Sequence, residues 1–176
     1  MVLNNYLLIA GNGRNVGKTW LSELCIRELA KQHDVIALKI ASHAHAINED
    51  IEQLAGKNKQ WMIGLETNRN SSKDSARMLK AGAALAYYAQ LNNDAFLPDL
   101  LQWLKENIKA DQPVICESSA IGRFIKPGLA FYVEDHSNSD KTCAWDFPFS
   151  TQQSQQNRII NPPSTIRWEK NSWQIK

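Results

Sequence analysis

The sequence YLLIAGNGRNVGKT, residues 6 to 19, joins a short apolar run to a glycine-rich turn and then to an amphipathic segment. The apolar run, Leu7 to Ile9, is typical of a central parallel strand that is covered on both faces. After the turn, apolar side chains recur at helical spacing, at Leu21, Leu24, Cys25 and Leu29. The stretch is therefore predicted to form a strand, a glycine-rich loop and a helix from about Gly17 to Gln32.

The residue types in this loop are those that a phosphate-binding site needs. Gly11, Gly13 and Gly17 allow positive φ angles, so that successive backbone N–H groups can point into one anion-sized hollow. The helix that follows adds the positive end of its dipole. Lys18 would reach the terminal phosphates as a cation, and the Thr19 hydroxyl would hold Mg²⁺ bound to them. The loop is predicted to bind a nucleoside triphosphate with Mg²⁺.

The loop departs from the usual spelling, G-x-x-x-x-G-K-[ST], at Asn12, where that pattern has glycine. Instead, Gly11 is followed by five residues and then by Gly-Lys-Thr. This longer form resembles the loop of dethiobiotin synthetases and cobyrinate amidases, in the branch of P-loop proteins that also holds MinD and MobB. A surface turn without function is the alternative, but the strand before, the helix after and the three glycines favour phosphate binding. We expect the nucleotide to contact Gly11, Asn12, Gly13, Arg14, Asn15, Val16, Gly17, Lys18, Thr19, Trp20 and Lys39.

Length and composition are those of an ordinary globular domain. The chain has 176 residues, of which 43% are hydrophobic and 22% charged, so one domain with a substantial core is expected. The net charge is only +2 and the basic residues are scattered, which speaks against nucleic-acid binding. The chain has neither a membrane-spanning apolar segment nor the pattern of a signal peptide, and its three cysteines match no disulfide or zinc spacing. We expect a cytoplasmic protein that binds no membrane.

The rest of the chain alternates between strand and helix patterns. Val35 to Ile40 is a second buried strand, which implies a parallel pairing through a right-handed crossover. The segment Asn48 to Asn58 is polar and is interpreted as a loop or a short helix. Further strands are predicted at Trp61–Thr67, Leu85–Ala89, Pro113–Glu117 and Leu129–Glu134, the last reached through a turn at residues 126–128. Helices are predicted from Lys73 to a stop at Gly82 and over Phe96–Lys109. This order predicts an α/β fold with a mostly parallel sheet flanked by helices.

The character of the sequence changes after Asp135. Residues 136–141 are polar, residues 151–157 are rich in glutamine, and Pro162-Pro163 marks a stop. The last segment, Thr165 to Lys176, is predicted to form a C-terminal β-hairpin in which Ile166 and Trp168 face Trp173 and Ile175. We divide the chain into a nucleotide-binding domain, residues 1–135, and a C-terminal extension, residues 136–176, packed on or beside it.

Two predicted strands end in polar residues that would lie near the phosphates. The carboxyl ends of parallel strands line the ligand crevice, which would bring Lys39, His43 and His45 to the site. Two histidines without a third ligand are more often ordinary loop residues than metal ligands. Glu117 ends an apolar strand, where its carboxylate could bind Mg²⁺ directly or through water. It could equally be the first exposed residue after a buried strand, and the pattern leaves both interpretations open.

Four segments together resemble the MobB family of GTP-binding proteins in molybdopterin-guanine dinucleotide biosynthesis. They are the loop ending in Gly17-Lys18-Thr19, residues 39–45, Lys73-Asp74-Ser75 with Ala81-Gly82-Ala83, and Glu117 at a strand end, within residues 6–134. The resemblance implies the P-loop NTPase fold, a homodimer, catalytic roles for Lys18, Asp74 and Glu117, and Mg²⁺ held by Thr19, Asp74 and Glu117. Without the resemblance, Asp74 would be interpreted as a favourable charge in the first turn of a helix.

Three functions are compatible with these residues. The first is a MobB-like GTPase that assists cofactor synthesis, with molybdopterin or its nucleotidyltransferase as partner. The second is a nucleotide-gated interaction module with little turnover, and the third is an ATP-dependent ligase resembling dethiobiotin synthetase. The chain lacks an N-K-x-D guanine motif, so the choice between GTP and ATP stays open.

Overall fold

The described part of the computed structural model comprises residues 1–43, 46–47, 49–57, 60–135, 143, 145–156, 158–159, 162–163 and 165–175. In it a nine-stranded sheet carries helices on both faces, and a separate two-stranded hairpin lies at the C-terminal end. The predicted α/β class, the mostly parallel sheet flanked by helices and the C-terminal hairpin are thus confirmed. His45 and the polar segment at 136–141 lie outside the described residues.

The helices and strands follow one another in an order close to that predicted. The strands are β1 (Val2–Gly11), β2 (Ile36–Ala41), β3 (Ile51–Lys57), β4 (Trp61–Glu66), β5 (Leu85–Leu91), β6 (Val114–Glu117), β7 (Lys126–Asp135), β8 (Ser150–Gln155), β9 (Arg158–Ile159), β10 (Ile166–Glu169) and β11 (Ser172–Ile175). The helices are α1 (Lys18–Leu29), α2 (Asp74–Lys80) and α3 (Leu97–Asn107). None of the helices in the described ranges is both long and apolar enough to cross a membrane.

The strand order in the sheet is β3-β4-β5-β2-β6-β1-β7-β8-β9. The six strands from β5 to β8 in this order run parallel, and β4, β3 and β9 are antiparallel to their neighbours. The strand β6 lies between β1 and β2, and Glu117 of β6 is aligned with Ile9 on one side and Lys39 on the other. The carboxyl ends of these three strands therefore meet at the same end of the sheet.

The core consists of two apolar layers, one on each face of the sheet. Successive side chains of a strand point to opposite faces, so Leu7 and Ile9 of β1 pack with α1 and α2, whereas Tyr6 and Leu8 pack with α3. Ala37 of β2 and Ile115 of β6 belong to the layer with α1 and α2. Lys39 and Glu117, each two residues further along, consequently project from the face that carries these two helices.

Three strands, β3, β8 and the two-residue β9, lie where the sequence pattern predicted none. Residues 48–58 were expected to form a loop or a short helix, but they contain β3, an edge strand that pairs antiparallel with β4. The glutamine-rich segment contains β8, which pairs parallel with β7 and buries Gln152 and Ser154. The strand β9 pairs antiparallel with β8. In each case a neighbouring strand supplies the backbone hydrogen bonds, so the segment forms a strand without a strongly apolar sequence.

The start of β7 differs from the prediction, whereas the C-terminal hairpin agrees with it. Residues 126–128, predicted to form a turn, belong instead to β7, and Pro127 is tolerated there because β8 pairs with β7 only from Phe131 onward. The hairpin has the predicted register, with Ile166 opposite Ile175 and Trp168 opposite Trp173. Lys170 and Asn171 have φ angles of 52° and 57° between its strands, as a tight two-residue turn requires.

Candidate functional site

The glycine loop, residues 11–17, connects the carboxyl end of β1 to the first turn of α1. Gly17 is the N-cap of α1 with φ of 98°, and Asn15 also has a positive φ of 56°. Gly17 has no side chain that could cap the helix, so the N–H groups of the first turn are oriented toward the loop without a side-chain acceptor from the cap. Such an arrangement of N–H groups at a helix start attracts anions.

Gly11 and Asn12 fix the start of the glycine loop against β7. A Cβ atom on Gly11 would lie 2.6 Å from the Val133 carbonyl oxygen, so only glycine allows this close approach. Asn12 Nδ2 donates to the Asp135 carbonyl at 3.0 Å, and the Asp135 N–H donates to Asn12 Oδ1 at 3.1 Å. The asparagine that departs from the usual loop spelling therefore anchors the loop to the end of β7.

The other predicted nucleotide-contacting residues of this region differ in their placement. Arg14 and Asn15 are exposed at the tip of the loop, whereas Val16 is buried in the core layer of α1. Trp20 is partly buried and packs against the same layer. Its indole ring is therefore part of the packing of α1, and the structure provides no separate reason to assign it to a ligand.

Lys18 bends back over the glycine loop, where its ammonium group donates to the carbonyl oxygen of Gly13. Burial lowers the pKa of Lys18, and the neighbouring Lys39 contributes in the same direction, while Glu117 and Asp74 partly oppose them. Among the described residues no carboxylate contacts the Lys18 ammonium group directly, so an anion in the loop would have a nearby cation to bind.

Thr19, Lys39, Asp74 and Glu117 form one connected polar group, which we call the carboxylate cluster. Thr19 Oγ1 donates to Asp74 Oδ1 at 3.0 Å, and Lys39 Nζ lies 2.6 Å from Asp74 Oδ2 and 2.5 Å from Glu117 Oε1. Four separate elements contribute these side chains, since they lie at the starts of α1 and α2 and near the ends of β2 and β6. The structure thus places Thr19, Asp74 and Glu117, to which the resemblance assigns Mg²⁺, in one group with Lys39, whereas Lys18 contacts the glycine loop.

The protonation of the cluster follows from its contacts. Burial alone would lower the pKa of Lys39, but the adjacent carboxylates of Glu117 and Asp74 hold it above the usual value. Burial alone would raise the pKa of Asp74, but the Lys39 ammonium and the Thr19 hydroxyl hold it below the usual value. The ion pair between Lys39 and Asp74 is therefore charged on both sides at neutral pH.

Glu66 is a part of the site that sequence reasoning missed. Its carboxylate is buried, accepts from Ser75 Oγ at 2.7 Å and from the Asn68 N–H at 3.0 Å, and so fixes the start of α2 next to Asp74. The available signal was an acidic residue at the end of the apolar strand β4, the same signal that drew attention to Glu117. Its role is to position the helix that carries Asp74.

The oxygen atoms of the cluster suit Mg²⁺, a hard cation that prefers oxygen ligands. Glu117 is 1% exposed, and its Oε2 atom has no hydrogen-bond partner among the described residues. Within the described ranges no three His, Cys, Asp or Glu side chains form a group that could hold a metal by themselves. His43, which was predicted to lie near the phosphates, is exposed on the segment after β2.

A cavity of about 340 Å³ adjoins the cluster on the side of β5 and α2. Lys39 and Asp74 form the wall that the cavity shares with the cluster, and Tyr88, aligned with Lys39 on the neighbouring strand, lines it as well. Ile47 and Ile51 contribute an apolar wall. A second small molecule in this cavity would lie next to the carboxylates.

Comparison of the chain with models of protein families, with curated proteins and with solved structures gave no match.

Proposed function

We propose that the protein binds a purine nucleoside triphosphate with Mg²⁺ through a P-loop and hydrolyses it. The observation that carries the proposal is that Thr19, Asp74 and Glu117 are joined through Lys39, close to the Lys18 ammonium group that lies over the glycine loop. A helix start, a lysine and a hydroxyl at the phosphates, together with carboxylates opposite them, are the parts that phosphoryl transfer requires.

Each group has a distinct task in this proposal. The backbone N–H groups of the glycine loop and the first turn of α1 bind phosphate oxygens, and the Lys18 ammonium exchanges the Gly13 carbonyl for the terminal phosphates. Thr19, Asp74 and Glu117 hold Mg²⁺, which when bound neutralises the charge of the phosphates. Glu117 Oε2, which is buried and has no hydrogen-bond partner in the part of the chain that the structure describes, is the acceptor available to orient an attacking water molecule.

The experiment that tests the proposal combines binding and turnover. Calorimetric titration of the purified protein with ATP and with GTP in the presence of Mg²⁺ should give saturable binding, and phosphate release should be slow but measurable. Glu117→Gln should lower turnover by about 100-fold or more while changing nucleotide affinity much less, because the carboxylate acts on the reacting groups. Asp99→Asn, an exposed charge on α3, is the matched control and should match the wild type.

Two results would contradict the hydrolase assignment. Turnover of Glu117→Gln equal to that of the wild type would remove the residue from the chemistry. Tight nucleotide binding by the wild type without any phosphate release would favour the nucleotide-gated interaction module instead.

A MobB-like role in molybdopterin-guanine dinucleotide synthesis is the second candidate. The observation that favours it is that Lys73-Asp74-Ser75, the most specific part of the resemblance, contributes Asp74 to the cluster and Ser75 to the buried contact with Glu66. This role requires a preference for GTP over ATP, a homodimer and turnover that rises when the molybdopterin nucleotidyltransferase is added. A clear ATP preference without a response to the transferase would leave only the general assignment, including a ligase of the dethiobiotin synthetase kind.

A further inference from the structure

Lys39 lies between the two carboxylates that the proposed function assigns to Mg²⁺. Its ammonium nitrogen is 2.6 Å from Asp74 Oδ2 and 2.5 Å from Glu117 Oε1. We propose that Lys39 is a built-in counter-cation that keeps free Mg²⁺ out of the carboxylate cluster, so that the metal binds only together with a nucleotide. The inference rests on the proposed function and specifies how its metal site is regulated.

Burial explains why the site needs a cation of its own. Glu117 is 1% exposed, and an ionised carboxylate in such a position is costly unless an opposite charge or a metal compensates it. Lys39 compensates Oε1, whereas Oε2 is buried and no described residue bonds to it. The carboxylate is thus half satisfied by the lysine, and its second oxygen remains available to a further ligand.

The number of ligands explains why Mg²⁺ alone is excluded. Mg²⁺ requires six oxygen ligands in near-octahedral geometry. The described part of the cluster offers Thr19 Oγ1 and the two carboxylates, and both carboxylates are already engaged with Lys39. Free Mg²⁺, which gives up its water ligands reluctantly, would have to displace the lysine to gain at most three protein ligands, whereas Mg²⁺ bound to a nucleotide brings phosphate oxygens and additional binding energy from the glycine loop.

The adjoining cavity provides a place for the displaced side chain. Lys39 already lines this space of about 340 Å³, together with Tyr88 and Ile47. A lysine side chain has a flexible four-carbon stem, so its ammonium group can move from the carboxylates into the cavity without a change in the backbone of β2. The exchange replaces one cation at Glu117 and Asp74 by another.

The test measures metal binding in the absence of nucleotide, with Mn²⁺ as a paramagnetic probe whose free form is counted by its electron spin resonance signal. Wild type should bind Mn²⁺ weakly, and Lys39→Met, which keeps the side-chain length and removes the charge, should bind it at least about tenfold more tightly. Lys39→Arg should behave as the wild type. Lys80→Met, an equal loss of charge at an exposed position on α2, is the control for nonspecific electrostatics and should also match the wild type.

The double variant Lys39→Met/Glu117→Gln should lose the gained affinity, which would assign it to the cluster. Equal Mn²⁺ affinity of Lys39→Met and Lys80→Met would overturn the inference. Because no nucleotide is present, this result is independent of the proposed function, which fails separately if wild type does not bind ATP or GTP.

A measurement on wild-type protein covers the case in which Lys39→Met does not fold. Lys39 is 17% exposed in its ion pairs, so reductive methylation with ¹³C-formaldehyde should modify it slowly in the free protein. After addition of Mg²⁺ with a non-hydrolysable nucleotide, its methylation should become several-fold faster if the ammonium group leaves the carboxylates. An unchanged or slower rate at Lys39, with nucleotide bound, would overturn the displacement.

Discussion

Asp74 and Lys39 should make the stability of the protein depend on pH in a predictable direction. The pKa of Asp74 is held below its usual value, so its contribution is present above about pH 4 and is lost as the pH falls through the lowered pKa. The pKa of Lys39 is held above its usual value, so its contribution is present below about pH 10 and is lost as the pH rises through the raised pKa.

The corresponding prediction compares wild type with Asp74→Asn by urea unfolding between pH 2.5 and pH 8. Wild type should be more stable at neutral pH, and the difference in unfolding free energy should shrink below about pH 4. Asp99→Asn, on the exposed face of α3, should show no comparable dependence. A difference for Asp74→Asn that stays constant down to pH 2.5 would show that the ion pair with Lys39 does not stabilise the fold.

Several residues of the site could be named from the sequence because their chemistry is tied to position. Lys18 and Thr19 follow the last glycine of the loop, and Glu117 stands at the end of an apolar run. The contact between Lys39 and both carboxylates could not be derived in this way, because it joins residues from three distant parts of the chain. Glu66 was missed because an acidic residue at the end of a strand looks the same in the sequence whether it is exposed or, as here, buried in contact with a helix.

Gly17 and Gly82 lie at helix ends with positive φ angles, so the effects of alanine at the two positions can be compared. Gly17 begins α1 with φ of 98°, and Gly82 follows α2 with φ of 116°. Alanine at either position is strained by about 1–2 kcal/mol. Gly17→Ala and Gly82→Ala should therefore both lower the urea midpoint.

Only Gly17→Ala should also weaken nucleotide binding, because Gly17 sets the direction of the N–H groups at the start of α1. Calorimetric titration of the two variants distinguishes these effects. Equal nucleotide affinity in both variants would contradict the assignment of the glycine loop as the phosphate site.

The elements that the sequence predicted well are those whose burial produces a regular apolar pattern. The strands β1, β2 and β6 are covered on both faces, and α3 has one apolar side formed by Leu97, Leu100, Leu101 and Leu104. The strand β3 lies at the sheet edge with most of its residues exposed, and β8 is composed of serine, threonine and glutamine. Their formation depends on the pairing partners β4 and β7, and a local pattern cannot reveal such partners.

The C-terminal extension contributes to the same sheet and core as the rest of the molecule. The strand β8 continues the sheet beside β7, and Ile159, Ile166 and Trp168 are buried in the apolar layer that contains α1. Trp168 Nε1 also donates to the Asp111 carbonyl at 3.3 Å. A chain truncated after Asp135 would expose the edge of β7 and part of this layer.

We therefore predict that residues 1–135 alone do not form a stably folded protein. Circular dichroism with urea unfolding should show a loss of the cooperative transition, since removing several large buried side chains costs about 2–5 kcal/mol each. Truncation after residue 164, which removes only the hairpin, should be less destabilising. A fragment 1–135 that unfolds cooperatively at the midpoint of the full chain would show that the extension is dispensable for folding.

The proposed anion site depends on the whole molecule, because the sheet, α1 and the glycine loop would form it together. The most direct measurement is a calorimetric titration of wild type and Lys18→Ala with Mg²⁺ and either ATP or GTP, with Lys31→Ala, an exposed lysine just after α1, as control. Wild type and Lys31→Ala should bind alike. Lys18→Ala should bind at least about 100-fold more weakly with an unchanged melting temperature, because the lysine neutralises the terminal phosphates in the proposed site. Equal affinity of wild type and Lys18→Ala for both nucleotides would contradict the account.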